Sequence, residues 1–344
     1  MGRRRDAQNR ADFIEGLAIR RLLAQTEGPS SIPTWQLGKV RFAVTFPTAA
    51  RDIESRHLGP VVTVGVLFFI FGFVTWLNGP LITFVKLAFD LDDVNAFLVP
   101  VAFYLSYFFL ALPSSAVLRR TGMKKGMALG LFIMAIGAVV FGHFTTARQY
   151  PGTLTGLFVI GAGLSLLQTA SNPYVCILGP GESAARRIAF MGICNKFAGF
   201  LAPLVFGALV LQGLDHFDAR VKAAATPVAR EALLDAFAAQ VHGPYMIMAV
   251  LLAALAVWIA RSCLPDVRAE SATDRFAETR HIFRFPHLWL GVLCLFLYVG
   301  LEVMAGDAIG IYGQGFDLPL SATRLFTSYT LFAMLVGSVV GLLM

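Results

Sequence analysis

The amino-acid sequence predicts an all-α fold, a polytopic membrane bundle of long apolar helices. The 344-residue chain is 57% hydrophobic and only 14% charged, whereas soluble domains carry about 25% charged residues. Its mean hydropathy is +0.69. Eight segments are mostly apolar over the roughly 20 residues that a helix needs to cross the hydrocarbon core of a bilayer.

Polar connections separate the eight predicted spans. The spans cover residues 61–86, 95–117, 126–143, 152–178, 188–212, 243–260, 287–312 and 324–344. The connection at 213–242 contains a charged helical piece. Residues 1–58 are polar and basic and contain no span, so we expect a cytoplasmic N-terminal extension that is disordered or forms a loose amphipathic helix.

Basic residues indicate the orientation of the bundle. The second, fourth and sixth connections hold eleven Lys and Arg residues, and the first, third and fifth hold four. Basic loops stay on the cytoplasmic side, which predicts a cytoplasmic N-terminus and a multi-pass protein of the bacterial inner membrane. Such flanks also account for the net charge of +7, so we predict the lipid bilayer and not nucleic acid as a partner.

The sequence offers no constellation typical of an enzyme. The four cysteines form no CxxC or metal-ligand spacing, and His143, His216 and His242 share no ligand spacing. No nucleophile is accompanied by a base at a common site. We therefore predict no catalytic residue, no metal site, no cofactor and no enzymatic activity.

A proline interrupts the first span within Trp76-Leu77-Asn78-Gly79-Pro80. Pro80 cannot donate a hydrogen bond to the carbonyl of Trp76 and crowds it. The freed carbonyls and the Asn78 amide can face a ligand. Alternatively, the motif is a kink in which Asn78 bonds to a neighbouring helix.

The fourth span carries a small and polar stripe made of Gly161, Ser165, Gln168 and Asn172. Their spacing places them on one helical face. Such a stripe either packs closely on another helix or lines a wet cavity. Because the two amides need polar partners, we favour the cavity.

Spans five and seven each contain a charged residue. In span five, Asn195 is a ligand candidate, and Lys196 either faces the site or extends toward the cytoplasmic side. In span seven, Glu302 lies near the membrane midplane, and Asp307 follows nearer the periplasmic end. Glu302 can stay neutral, pair with Lys196, bind a cation or hydrogen-bond a polar solute.

These motifs resemble the major facilitator superfamily, and within it the fucose/glucose/galactose/N-acetylglucosamine permeases of the fucose–proton symporter family. The segments that carry the resemblance are Leu77-Asn78-Gly79-Pro80-Leu81, Leu167-Gln168-Thr169-Ala170-Ser171-Asn172-Pro173-Tyr174, Phe296-Leu297-Tyr298-Val299-Gly300-Leu301-Glu302-Val303 and Gly306-Asp307-Ala308-Ile309-Gly310-Ile311-Tyr312. The resemblance implies twelve helices in two halves. It divides this chain into a six-helix half at 59–260, a cytoplasmic linker at 261–286 and the start of a second half at 287–344. About eight of twelve helices are then present, which we interpret as C-terminal truncation.

The resemblance implies a secondary active transporter of a hexose or amino sugar, coupled to H⁺ or Na⁺. Spans one, four and seven line the cavity in such a fold. The predicted substrate-binding residues are Asn78, Gln168, Asn172, Asn195 and Glu302. Rings such as Trp76, Phe103 or Tyr107 can stack on the sugar.

This sequence departs from the fucose symporters at two family carboxylates, since Gly79 and Gln168 stand where those proteins have Asp and Glu. The departure favours the glucose/galactose or N-acetylglucosamine subgroup, and leaves Glu302 and Asp307 as ion-coupling candidates. The alternatives are a sugar-binding membrane sensor or scaffold, and an inactive truncated permease.

Overall fold

The structure of the protein is a computed structural model. It describes residues 58–178, 183–211, 226–262, 285–316, 320–323 and 325–343, with isolated positions at 217, 220–221, 223–224, 264 and 318. Apart from Leu58, the predicted N-terminal extension lies outside the described residues. Most of the predicted linker at 261–286 lies outside them as well.

The described chain is built from helices and contains no strand. In the first half of the chain these are α1 Leu58–Trp76, α2 Asn78–Ala88, α3 Asp93–Ala96, α4 Leu98–Thr121, α5 Met123–Thr146, α6 Tyr150–Ile177 and α7 Ala184–Leu209. They are followed by α8 Pro227–Ala239, α9 His242–Arg261, α10 Pro286–Val303, α11 Ile309–Gln314, α12 Leu320–Thr323 and α13 Phe326–Leu343. A π-helix at Met304–Ala308 joins α10 to α11.

Seven helical segments of the described residues are long and apolar enough to cross a bilayer. They are Gly59–Ala88, Asp93–Thr121, Met123–Thr146, Tyr150–Ile177, Ala184–Leu209, Pro227–Arg261 and Pro286–Gln314. They coincide with the first seven predicted spans, and the shorter apolar helix Phe326–Leu342 coincides with the eighth. The prediction of an all-α membrane bundle is confirmed, and the protein is a multi-pass membrane protein.

The first span is broken at the proline motif. α1 ends at Trp76 and α2 begins at Asn78, as expected if Pro80 leaves the Trp76 carbonyl without its helical donor. Regular bonding resumes where the Leu81 N–H donates to the Leu77 carbonyl at 3.0 Å. Asn78 is only 1% exposed, so the break faces protein rather than lipid.

Spans three and four pack backbone against backbone through glycines. A Cβ atom on Gly163 of α6 would stand 2.5 Å from the carbonyl oxygen of Gly130 and 2.7 Å from the Met134 nitrogen, both on α5. A Cβ atom on Gly156 would stand 2.5 Å from the Phe141 nitrogen. Glycine is required at this interface because any side chain would force the two helix backbones apart. Helix α9 also packs on α5, and α4 packs on α6.

The fifth span links the early helices to the late ones. α1 and α13 both pack on α7. The Phe200 and Phe332 rings lie 5.6 Å apart, and the Ser328 hydroxyl donates to the Phe200 carbonyl at 3.2 Å. No residue of α10 is buried, so span seven contacts the other spans mainly through its C-terminal part, from Glu302 onward.

The short helix α8 is held to two connections by ion pairs. Arg148 bonds Glu231 and lies 3.2 Å from Asp235, both on α8, and its Nε donates to the Ala88 carbonyl at 3.0 Å. Arg230 lies 2.6 Å from Asp90. Burial alone would lower the pKa of Arg148, but its bonds to the two carboxylates raise it above the usual value. The predicted helical piece within 213–242 is confirmed at Pro227–Ala239.

Candidate functional site

Buried polar atoms without hydrogen-bond partners gather where the break in span one meets spans two and seven. They include the Thr75 hydroxyl of α1, the Tyr107 hydroxyl of α4 and Oδ1 of Asp307 in the π-helix. Thr75 and Tyr107 approach each other but do not meet hydrogen-bond geometry. Buried polar groups are normally satisfied, most strictly at membrane depth. This region is therefore where a polar ligand or water is expected to bind.

Asp307 occupies one corner of this region and is 3% exposed. The Tyr104 hydroxyl of α4 donates to its Oδ2 at 2.9 Å. The Gly79 N–H at the start of α2 also approaches the carboxylate, and the Asn78 amide approaches Tyr104. Asn78 donates from its own amide nitrogen to the Thr75 carbonyl at 3.0 Å. The predicted residues Asn78 and Asp307 thus share one polar pocket with Tyr104.

A second polar cluster connects span seven to span five. Glu302 forms an ion pair with Lys196, one of the arrangements that the sequence left open for it. The Lys196 ammonium also lies 4.8 Å from the centre of the Trp76 ring, a cation–π distance. The Trp76 Nε1–H points to Oδ1 of Asn195 at 3.4 Å. The predicted residues Asn195 and Glu302 therefore belong to one cluster, joined through Trp76 and Lys196.

Trp76 stands between the two clusters. Its ring packs against Gly199 of α7 on one side, where a Cβ atom would stand 2.4 Å from it. It also packs against Gly306, one residue before Asp307, where a Cβ atom would stand 2.3 Å from the ring. Trp76 is only 4% exposed. It is thus a wedge between spans five and seven, and it does not present an open face for stacking on a sugar.

The stripe on span four divides into two parts. Gly161 packs on α4, where a Cβ atom would stand 2.4 Å from the Phe103 carbonyl oxygen, and Ser165 is buried. Gln168 is half-buried and Asn172 is exposed. Within the described chain, no hydrogen bond joins their side chains to either polar cluster. The N-terminal part of the stripe thus packs closely on α4, and a cavity lined by the two amides stays a prediction.

Tyr104 and Thr75 were missed by the sequence reasoning, and Tyr107 was noted only as a stacking ring. Tyr104 and Tyr107 lie one turn apart in an apolar helix, so the two hydroxyls at this spacing are a signal that could have identified them. The hydroxyl of Thr75 had no such signal, because threonine is common in apolar helices. Phe103 is 1% exposed, and its ring packs beside the polar region, 5.2 Å from the Tyr104 ring and 5.7 Å from the Tyr107 ring.

A separate apolar cavity of about 290 Å³ lies between α1, α7 and α9. Phe69, Leu209 and Leu251 are among the side chains that line it, and Leu209 and Leu251 are each 59% exposed. Its lining is apolar apart from the buried Tyr245, so it is not a candidate sugar site. Among the described residues, no three His, Cys, Asp or Glu side chains are grouped as a metal site requires.

Comparison with known proteins identifies relatives of this chain. The model of the Major Facilitator Superfamily matches residues 64–344. A glucose/galactose transporter of Brucella abortus is 34% identical over 262 residues, which cover 76% of this chain and 60% of the relative. The L-fucose-proton symporter of Escherichia coli is 31% identical over 256 residues, or 72% of this chain and 58% of the relative.

A solved structure supports the same assignment. The crystal structure of the Escherichia coli fucose:proton symporter matches with a TM-score of 0.67 at 26% identity, over 83% of this chain and 70% of that one. The chain thus spans about three fifths of the length of the curated relatives that it matches.

Proposed function

Since the chain belongs to the Major Facilitator Superfamily, we propose that it acts in transport of a hexose or amino sugar across the bacterial inner membrane. The candidate sugars are glucose, galactose and N-acetylglucosamine, moved by alternating access and coupled to H⁺ or Na⁺. The relatives are named as glucose/galactose and L-fucose-proton transporters. The observation that carries the proposal is the group of buried, unpartnered polar atoms at the break in span one.

Amide side chains are assigned to the sugar hydroxyls. A hydroxyl both donates and accepts, and an amide offers two donors and an acceptor within one planar group. Asn78 and Asn195 lie beside the two polar clusters, while Gln168 and Asn172 lie farther along span four with side chains that are not fully buried. A sugar bound between the two asparagines of the clusters and the two amides of span four would bring the amides of spans one, four and five to one ligand.

The two carboxylates of span seven are assigned to the coupling ion, and Glu302 also to the sugar. Both lie on the part of span seven that contacts earlier spans, Glu302 through Lys196 of span five and Asp307 through Tyr104 of span two. The proposed arrangement has a six-helix half at 59–260, a linker at 261–286 and the beginning of a second half at 287–344. Ion binding at this junction would then alter the contact between the halves, as alternating access requires.

The first test is uptake of labelled glucose, galactose and N-acetylglucosamine into cells that express this chain. Saturable accumulation that an H⁺ or Na⁺ ionophore abolishes would support coupled transport. Purified protein should also bind the sugar in detergent, with a change in tryptophan fluorescence because Trp76 contacts Asn195 and Lys196 and packs on Gly306 beside Asp307. Binding without uptake would favour the sensor or scaffold alternative, and the absence of both would overturn the proposal.

Site variants test the residue assignment separately. Gln168→Ala and Glu302→Gln are expected to abolish saturable uptake, and Gln168→Ala to weaken sugar binding. Gln240→Ala is the matched control, since Gln240 is an exposed residue at the end of α8. If both site variants take up sugar as well as the control does, the assigned site is wrong even if the protein transports sugar.

A further inference from the structure

The two carboxylates of span seven have different surroundings, although five positions separate them. Glu302 is paired with the ammonium of Lys196, and their side chains are 14% and 13% exposed. Asp307 is 3% exposed and receives a hydroxyl bond from Tyr104 on Oδ2. Its Oδ1 has no hydrogen-bond partner among the described residues.

No cation among the described residues faces Asp307 from the elements packed around it. On α2, Lys86 lies two turns beyond Gly79 and is 2.5 Å from Asp93. On α4 the neighbours are the neutral Tyr104 and Tyr107. On α10 the charged group is Glu302, with its partner Lys196 on α7.

The remaining helices around Asp307 bring no charge to it. Tyr312 of α11 and Tyr329 of α13 are exposed, and α1 and α13 carry no charged residue.

Burial therefore has opposite consequences for the two groups. The Glu302 carboxylate gains the attraction of a neighbouring ammonium, which offsets part of its lost hydration. The Asp307 carboxylate has only hydroxyl and amide dipoles near it, and an isolated buried charge costs several kcal/mol. A proton on Oδ1 removes that cost and leaves Oδ2 free to accept the Tyr104 bond.

We propose, on the basis of the proposed transport function, that Asp307 is the proton-binding group and that its contact with Tyr104 is a proton-dependent latch between spans two and seven. In the packed arrangement the proton resides on Oδ1 of Asp307. When span seven separates from α2 and α4, water reaches the carboxylic acid, which gives its proton to water and becomes a carboxylate. Tyr104 keeps its own proton throughout, and Glu302 remains paired with Lys196.

The local backbone supports this assignment. Asp307 lies in the π-helix Met304–Ala308, and such widened turns often occur at functional sites. The latch also rests on small residues: a Cβ atom on Gly79 would stand 2.7 Å from the Thr327 hydroxyl and 3.4 Å from Asp307 Cα. The Thr327 hydroxyl in turn donates to the Gly306 carbonyl at 2.8 Å. These contacts place the start of α2 directly against Asp307.

Infrared difference spectroscopy of the purified full chain tests the proton site without any sugar. The wild-type protein is expected to show the carbonyl stretch of a protonated carboxylic acid that disappears on alkaline titration. Asp307→Asn should lose this band, and Glu302→Gln should keep it. Tyr104→Phe should keep the band but shift the pH at which it disappears. Tyr150→Phe is the matched control and should leave the titration unchanged.

Two results would overturn the assignment. One is loss of the band in Glu302→Gln with retention in Asp307→Asn, which would place the proton on Glu302. The other is a wild-type protein without a titrating band over the whole pH range in which it stays folded. If Asp307→Asn does not fold, the Tyr104→Phe shift decides the question, because Tyr104 contacts Asp307 and not Glu302.

A vesicle assay then separates this inference from the proposed function. Asp307→Asn is expected to exchange labelled sugar across the membrane but to lose accumulation driven by a proton gradient. Accumulation equal to wild type would overturn the latch and leave sugar transport standing. Wild-type protein that moves no sugar would overturn the proposed function, while the infrared result on Asp307 would still hold.

Discussion

The interface between spans three and four and the interface between span seven and the earlier spans both depend on glycine, but in different ways. At the first, the glycines of α5 and α6 touch backbone atoms of the opposite helix. At the second, Gly306 touches the Trp76 ring, and Gly79 is at ordinary contact distance from Asp307 Cα, 3.4 Å, and closer to the side chain of Thr327 in span eight, which bonds the Gly306 carbonyl. A side chain can rotate away from a glycine, whereas a helix backbone cannot move without displacing the whole helix.

This difference indicates which part of the bundle is rigid and which part can separate. Spans three and four are joined along their length by close backbone contact. Span seven is joined through side chains, notably the Lys196–Glu302 ion pair and the Tyr104–Asp307 hydrogen bond. The proposed alternating access requires one rigid unit to move against another, and the side-chain contacts of the second interface fit the junction that would open.

The largest expected effect concerns the ion pair at the separable interface. Glu302→Gln or Lys196→Met alone would leave one charge without its partner, which typically costs about 3–5 kcal/mol of stability for a buried pair. The double variant removes both charges and should lose clearly less than the sum of the two single losses. Denaturation of the purified proteins in detergent would measure this coupling; strictly additive losses would mean that the two side chains do not interact.

The second prediction concerns the rigid interface. Gly163→Ala places a methyl group 2.5 Å from the Gly130 carbonyl oxygen, so α5 and α6 must move apart, and we expect a loss of about 1–3 kcal/mol from overpacking. The control is Gly207→Ala in α7, where no atom lies within 4 Å of the added carbon. The control should keep or gain stability, by up to about 1 kcal/mol from its better helix propensity. Equal unfolding temperatures for the two variants would contradict the backbone contact.

The third prediction applies the same change to the separable interface. In Gly306→Ala the added carbon would stand 2.3 Å from the Trp76 ring, a side chain and not a helix backbone, so the ring must shift in the space that Gly199 leaves on its other side. We expect a smaller loss of stability than in Gly163→Ala, below about 1–3 kcal/mol, together with a clear change in tryptophan fluorescence. Gly300→Ala in the same span is the control, since nothing lies within 4 Å of it.

Trp76→Phe identifies the share of the fluorescence that comes from this ring. If Gly306→Ala leaves that share unchanged while destabilising the protein as much as Gly163→Ala does, the two interfaces are equally rigid. The proposed distinction between them would then be wrong.

Hydropathy was sufficient to predict the helices, because a bilayer requires long apolar segments whatever their partners are. The proline rule even placed the break in span one, since α1 ends at Trp76, the residue whose carbonyl Pro80 leaves without a donor. Such features are local, and a local rule is enough to predict them.

Pairings between distant spans could not be predicted in the same way. The sequence left four alternatives open for Glu302. Only the position of α7 beside span seven identifies Lys196 as its partner. Tyr104 lies 203 positions from Asp307, so no spacing connects them. The π-helix was also missed, because nothing in Met304–Ala308 alone distinguishes a π turn from an α turn.

The smallest expected effect lies outside the spans, at Arg148. Two variants, Arg148→Ala and Arg148→Gly, remove the same contacts of the guanidinium and differ only in the backbone. Arg148 adopts a positive φ of 49°, which costs a residue with a Cβ atom about 1–2 kcal/mol. Arg148→Ala loses the bonds to Glu231, Asp235 and Ala88 but keeps this strained backbone, and partly exposed ion pairs contribute only about 0–1 kcal/mol. Arg148→Gly loses the same bonds and relieves the strain, so it should be the more stable of the two variants in thermal denaturation.

The part of the loss of stability that comes from the carboxylates should shrink at high salt, since exposed charges are screened. If the glycine variant is the less stable one, the positive φ of Arg148 does not strain the turn in the folded protein.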